Sequence, residues 1–149
     1  MIDLAHIHPM LVHFPLALLP LTALLYAWIQ LRGDNPFDRS CASRNLLGLM
    51  WLVALSALAA AAMGDVALDI AVDKGVPDAQ LEEHEDLGFL TAWASLGLAV
   101  FQSWFYAKKT ESRGLGWMML LATLGVLGLI LTTALFGGEL VYQLGVNVG

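Results

Sequence analysis

Charged residues are scarce in this chain of 149 residues. They make up 13% of it, against about a quarter in a typical soluble domain, whereas apolar residues make up 58%. Four apolar stretches are each long enough to cross a bilayer core, which needs about 20 residues per helix. This composition excludes a soluble domain and predicts an all-α, polytopic protein surrounded by lipid. We expect one domain over residues 1–149, an up-and-down bundle of four transmembrane helices at about 9–31, 45–63, 80–107 and 115–136.

Cysteine is almost absent, since Cys41 is the only one. A single cysteine excludes an internal disulfide and a thiolate metal cluster, and without a Cys-x-x-Cys-His motif there is no covalent c-type haem attachment. The first residues lack the positive region of a signal peptide, and no small-residue cleavage site follows the first span. We therefore expect the first span to be retained. No basic patch indicates nucleic-acid binding.

Basic residues are also few, and they are sorted by loop. Six of the seven lie near the ends of the two loops that follow the first and third spans: Arg32, Arg39, Arg44, Lys108, Lys109 and Arg113. Short loops rich in lysine and arginine remain in the cytoplasm. The pattern predicts a multi-pass protein of the bacterial inner membrane, with both termini and the acidic middle loop on the outer, periplasmic side.

The four histidines are the residues around which we expect function to be organised. His6, His8 and His13 lie at the start of the first span, next to Pro9 and Pro15, and His84 lies at the start of the third helix. Imidazole is costly at membrane depth, so such residues are candidates for a functional site. Helices one and three are diagonal in an up-and-down bundle. His13 and His84 are therefore predicted to face each other across the core as axial ligands of a six-coordinate haem b, which is suited to electron transfer.

Small residues on the other helices are predicted to make room for the porphyrin. These candidate cofactor-binding positions are Gly64, Gly88, Gly125 and Gly128. After the fourth span, Gly137-Gly138 permits a sharp change of direction, so the tail with Tyr142 is predicted to fold over the outer mouth as a lid and to contact the cofactor. His8 is a further candidate ligand, and His6 and His8 are each able to bind a second metal or a propionate.

Two other functions use the same residues. One is a copper, zinc or iron binding or transport site made by all four histidines and Asp65, which requires three or four ligands to converge. His8 and His13 are about 140° apart around a helix, so this site also requires His8 to lie in non-helical chain. The other is a cofactor-free assembly subunit whose histidines only join helices. Small-residue stripes also permit a homo-oligomer whose ligands come from two chains.

Several motifs resemble a known family. His8-Pro9, Val12-His13-Phe14-Pro15, His84 and Gly137-Gly138-x-Leu140-Val141-Tyr142-x-x-Gly145-Val146 are similar to those of a bacterial four-helix membrane family called domain of unknown function 2231. The resemblance covers essentially the whole chain, with a minor departure at Asn147. Relatives are fused to Rieske-type iron–sulfur or c-type cytochrome domains, which implies electron transfer at the outer face.

Together, these observations favour a redox protein over a stand-alone enzyme. We expect a membrane b-type cytochrome that passes electrons between quinone, or a membrane complex, and a periplasmic partner such as a c-type cytochrome or a Rieske-type protein. The acidic middle loop offers such a basic partner a surface of complementary charge.

Overall fold

The structure, a computed structural model, describes residues 7–77 and 81–145. These residues form four helices and no strand: α1 (Ile7–Arg32), α2 (Cys41–Asp73), α3 (Glu82–Lys108) and α4 (Arg113–Leu144). All four are long and apolar enough to cross a membrane. The prediction of an all-α protein with four membrane-spanning helices is confirmed.

The helices pack in a closed ring in which each contacts its neighbours in the chain and α4 contacts α1. The predicted diagonal relation of α1 and α3 is therefore confirmed. Loops 33–40 and 109–112 lie at one end of the bundle, here called the basic end, and the starts of α1 and α3 lie at the other, here called the histidine end.

Local sequence explains where the helices begin at the basic end. Ser40 and Ser112 precede α2 and α4, and each side chain accepts a hydrogen bond from the backbone N–H three residues later. Serine is a strong N-cap because its hydroxyl satisfies a donor that has no partner within the helix. Arg32 lies over the ring of Trp28, and Lys108 lies over that of Trp104, as expected for side chains at a membrane interface.

Helix α2 is longer than the sequence indicates. It continues ten residues past its predicted end at Met63, through most of the predicted middle loop, to Asp73. Asp65, Asp69 and Asp73 are all exposed and four residues apart, so they add charge on one face without interrupting the helix. The sequence Pro77-Asp78 predicts a helix start with Asp78 as the N-cap, and Asp78 lies outside the described residues.

Helix α4 also continues beyond its predicted end. It passes through Gly137 and Gly138 to Leu144, so the predicted change of direction at the double glycine is wrong. A glycine within a helix costs only about 1 kcal/mol relative to alanine, which the apolar residues on both sides offset. Tyr142 therefore lies on α4 itself and not on a folded-back lid.

The bundle is densely packed towards the basic end and hollow towards the histidine end. Tyr26, Ile29 and Leu46 are fully buried in the largest apolar cluster, together with Phe37 from the loop between α1 and α2. Because this cluster fills the space between the helices, the open volume of the protein lies at the other end.

Candidate functional site

Two histidines meet across the bundle at the histidine end. His8 lies in the first turn of α1 and His84 in the first turn of α3, and both side chains are half-buried. Their ring centroids are 6.1 Å apart and their planes are inclined at 83°. Since α1 and α3 are diagonal, the pair spans the interior of the bundle.

Both rings are held by backbone carbonyl groups of the other two helices. His8 Nδ1 lies 2.8 Å from the carbonyl oxygen of Ala60, and His84 Nδ1 lies 3.1 Å from that of Thr133. A carbonyl oxygen only accepts, so each Nδ1 is assigned the proton and each Nε2 keeps its lone pair. Histidines that bind metals are commonly oriented in this way.

Glycines on α2 and α4 allow these helices to approach the rings closely. A Cβ atom at Gly64 would lie 3.0 Å from Cε1 of His8, and one at Gly137 would lie 2.8 Å from Cε1 of His84. A larger residue at either position would push the imidazole from its place. Each histidine is thus held by a hydrogen bond to one residue and by contact with a glycine four residues away.

A cavity of about 530 Å³ adjoins the pair. Its volume lies within the range of about 300–1,000 Å³ that is usual for small-molecule and cofactor sites. All four helices contribute to its wall, which is mainly small and apolar: Ala57, Ala60, Ala61, Gly64, Ala67, Gly88, Ala134, Gly137 and Gly138 are among the lining residues. The polar groups in the wall include the imidazoles and the hydroxyls of Thr91 and Thr133.

The structure pairs His84 with His8 and not with His13, its predicted partner. His13 also lines the cavity, but its side chain is exposed, and its Nδ1 bonds to the carbonyl of Pro9 one turn earlier at 2.6 Å. The reason is the start of α1 at Ile7. Because His8 is already helical, His8 and His13 point in directions about 140° apart.

The glycine predictions have different outcomes. Gly64 and Gly88 line the cavity. Gly125 and Gly128 are exposed on the outer surface of α4, so the prediction that they face the interior is wrong. Thr123, Val126 and Ile130 are the residues that α4 buries at this level.

Tyr142 lies at the cavity but is 90% exposed. The contacts made by Gly137 and by the carbonyls of Ala60 and Thr133 were missed, although Gly137 carried a sequence signal as half of a double glycine and Ala60 as part of a row of small residues with Gly64.

The four-ligand metal site is not assembled by the part of the chain that the structure describes. No three histidine, cysteine, aspartate or glutamate side chains come together there. Asp65 is exposed, and His6 lies outside the described residues. A tetrahedral site needs three or four protein ligands, whereas axial binding of haem needs only two.

Comparison with known protein families gives a match over most of the chain. The family described as "Predicted membrane protein (DUF2231)" matches residues 5–149. The chain belongs to this family. The DUF2231 match includes all four helices and both members of the histidine pair, and it confirms the resemblance that the motifs indicated. No curated protein and no solved structure matches the chain.

Proposed function

We propose that this DUF2231 protein binds haem b at the histidine end, with His8 and His84 as axial ligands, and transfers electrons. The observation that carries the proposal is the pair of imidazoles, fixed on diagonal helices with both Nε2 lone pairs unused among the described residues. Two imidazoles that bind one metal ion from opposite sides would have ring centroids about 6 Å apart, because the two metal–nitrogen bonds of about 2 Å add to the distance from each nitrogen to the centre of its own ring. The separation of 6.1 Å agrees with that value.

The surrounding residues are suited to this role. Hydrogen bonds from Nδ1 to the carbonyls of Ala60 and Thr133 fix the ring orientations and make each Nε2 a stronger base. The small apolar side chains of the wall leave room for a flat macrocycle. His8 and His84 would hold the haem iron, which would supply one-electron transfer and, with both imidazoles bound, would have no open position for oxygen.

The electron partner in this proposal is a basic protein on the periplasmic side of a bacterial inner membrane, such as a c-type cytochrome or a Rieske-type protein. Short basic loops favour the orientation with the histidine end outward. Asp65, Asp69 and Asp73 form an exposed line on the end of α2 next to the cavity. Affinity for such a partner should fall as salt is raised, because exposed charges are screened. The second partner is quinone or a membrane complex.

The test is a visible spectrum of the detergent-purified protein, oxidised and then reduced with dithionite. A sharp α band in the reduced protein identifies low-spin b-type haem. We expect His8→Ala and His84→Ala to lose this band. His13→Ala is the matched control, since it removes an imidazole from the same helix and the same cavity, and it should keep the band.

Each other result is also informative. If His13→Ala loses the band and His8→Ala keeps it, the axial pair is His13 and His84, and the pairing proposed here is wrong. A colourless protein, expressed with an adequate haem supply, would refute haem binding. Copper, zinc or iron in that colourless protein would then support the metal-site alternative.

A further inference from the structure

The cavity beside the histidine pair has exposed residues on one side only. Among the described residues that line it, those on α2 and α3 are all buried or half-buried, and every exposed one belongs to α1 or α4. We call the opening between these two helices the side portal, and it is bordered by Pro9, His13, Ala134, Val141 and Tyr142. Helices α1 and α4 also pack together less extensively than any other neighbouring pair in the ring. The cavity therefore opens sideways, towards the lipid.

Apolar clusters of described residues close the cavity along the axis of the bundle. Towards the histidine end, Leu140 of the cavity wall packs with Leu81 and Ala71, and all three are buried. Towards the basic end, Ile130 of the wall packs with Val53 in a second buried cluster. A molecule that enters through the side portal thus comes from between two helices and not along the bundle axis.

The side portal lies at the level where the hydrocarbon meets the lipid headgroups. Arg32 at the end of α1 and Arg113 at the start of α4 mark the opposite interface. A hydrocarbon core of about 30 Å corresponds to about 20 residues of helix. Counted from these two arginines, that length reaches about residue 12 in α1 and about residue 133 in α4, next to His13 and Ala134. The side portal is therefore placed for an amphipathic molecule whose apolar part lies in the lipid.

His13 supplies a hydrogen-bond acceptor at the side portal. Its Nδ1 lies 2.6 Å from the carbonyl oxygen of Pro9, which only accepts, so Nδ1 is assigned the proton and Nε2 keeps its lone pair. No described residue bonds to this Nε2. A polar group at the edge of the hydrocarbon is costly without a partner, so the side portal favours a ligand with a hydroxyl donor. On the opposite border, Ala134 and Gly138 leave a smooth surface against which a flat ring can pack.

We propose that the side portal binds a lipid-soluble hydroquinone, with a ring hydroxyl donating to Nε2 of His13 and the alkyl tail in the lipid. A hydroquinone combines a flat ring, a hydroxyl donor and an apolar tail. The oxidised quinone has only acceptor oxygens, so it gains no hydrogen bond from this Nε2. The inference rests on the proposed function for the role of the hydroquinone, and it adds the site and the form that is bound. It concerns binding alone, which requires no haem.

The experiment is a calorimetric titration of the full-length protein in detergent, under argon, with a decyl-substituted benzohydroquinone and with its oxidised quinone. We expect the hydroquinone to bind about tenfold more tightly than the quinone, equivalent to about 1.4 kcal/mol. His13→Ala should remove this difference by weakening hydroquinone binding alone. His13→Gln carries a donor as well as an acceptor, so it should bind the quinone more tightly than the wild type does. Decanol has the hydroxyl and the tail without the ring and should bind more weakly than the hydroquinone.

A second pair of variants tests the side portal itself. Ala134→Phe places a bulky apolar side chain at its border and should weaken hydroquinone binding by about tenfold, equivalent to about 1.4 kcal/mol. Leu135→Phe is the matched control, because Leu135 is exposed on the same helix but does not line the cavity. This variant should bind as the wild type does.

Three results would overturn the inference: equal affinity of the wild type for hydroquinone and quinone, equal hydroquinone affinity of the wild type and His13→Ala, or an equal loss in Ala134→Phe and Leu135→Phe. Decanol that binds as tightly as the hydroquinone would also overturn it, since the side portal would then hold an alkyl chain only. A protein that has the haem band but fails these tests keeps the proposed function and refutes the hydroquinone site. A colourless protein that passes them does the reverse.

Discussion

Replacing Gly137 with alanine tests whether α4 holds the His84 ring in place. The added Cβ would lie 2.8 Å from Cε1 of His84 and 3.4 Å from both ring nitrogens. The ring has to move away, and its Nδ1 is bonded to the carbonyl of Thr133 at 3.1 Å, on the same helix as the new methyl group. We therefore expect the movement to weaken or break this hydrogen bond.

The magnitude follows from two opposing effects. Losing the hydrogen bond costs about 0.5–1.5 kcal/mol, whereas alanine in place of glycine within a helix gains about 0.5–1 kcal/mol. The control, Gly138→Ala, gains the same helix propensity, but its Cβ meets no atom within 4 Å. The propensity gain cancels between the two variants, so Gly137→Ala should be less stable than Gly138→Ala by about 1 kcal/mol.

The assay is thermal unfolding of both variants in the same detergent, followed by circular dichroism. For a chain of this size, 1 kcal/mol corresponds to about 2–4 °C in Tm. Haem titration of the two variants adds a second readout, because a displaced ligand should bind more weakly in Gly137→Ala alone. Equal Tm and equal haem affinity would show that contact with Gly137 does not position His84.

Two further predictions concern the basic half of the bundle. Trp51 donates a hydrogen bond from Nε1 to the hydroxyl of Ser103 at 3.0 Å. A double-mutant cycle of Trp51→Phe and Ser103→Ala should therefore give a coupling free energy of about 0.6 kcal/mol, the average for such bonds in membranes. Strictly additive losses of stability in the two variants would contradict this prediction. Burial raises the pKa of Asp38, but hydrogen bonds from Ser40 and Ser43 outweigh it and hold the pKa below its usual value. The ionised group therefore stabilises the fold above the unfolded pKa of about 3.9, and this contribution is lost as pH falls through the lower folded pKa. Unfolding measured at neutral and at acidic pH should show that acidification lowers the stability of Asp38→Asn less than that of the wild type. An equal loss of stability would show that the Asp38 carboxylate does not stabilise the fold.

The four helices were predictable because lipid imposes a simple requirement on the sequence. Each span needs about 20 apolar residues, and the scarcity of charge leaves few ways to place them. The ends of α2 and α4 were not predictable in the same way. Outside the hydrocarbon, Asp65 and Asp69 fit an exposed helix as well as a loop, and Gly137-Gly138 fits a packed helix as well as a turn.

The orientation of side chains was harder to predict than the number of spans. Each residue turns a helix by about 100°, so whether His8 is helical decides which histidine faces His84, and the apolar pattern does not fix that start. Gly125 and Gly128 illustrate a second difficulty. Lipid and protein interior are equally apolar, so a row of small residues on a membrane helix does not reveal which side it faces.

The unequal lengths of the helices have a consequence for access to the histidine pair. Helices α2 and α4 have 33 and 32 residues, whereas α1 and α3 have 26 and 27. Gly64 of α2 and Gly137 of α4 contact the two rings. Beyond these glycines, α2 continues to Asp73 and α4 continues to Leu144. At 1.5 Å per residue, each extension is about 10 Å or more in length. The pair therefore lies in a recess between two helical walls. Beyond the pair, Ala71 of α2, Leu140 of α4 and Leu81 pack together, so the two longer helices are joined past the imidazoles and set them back from the end of the bundle.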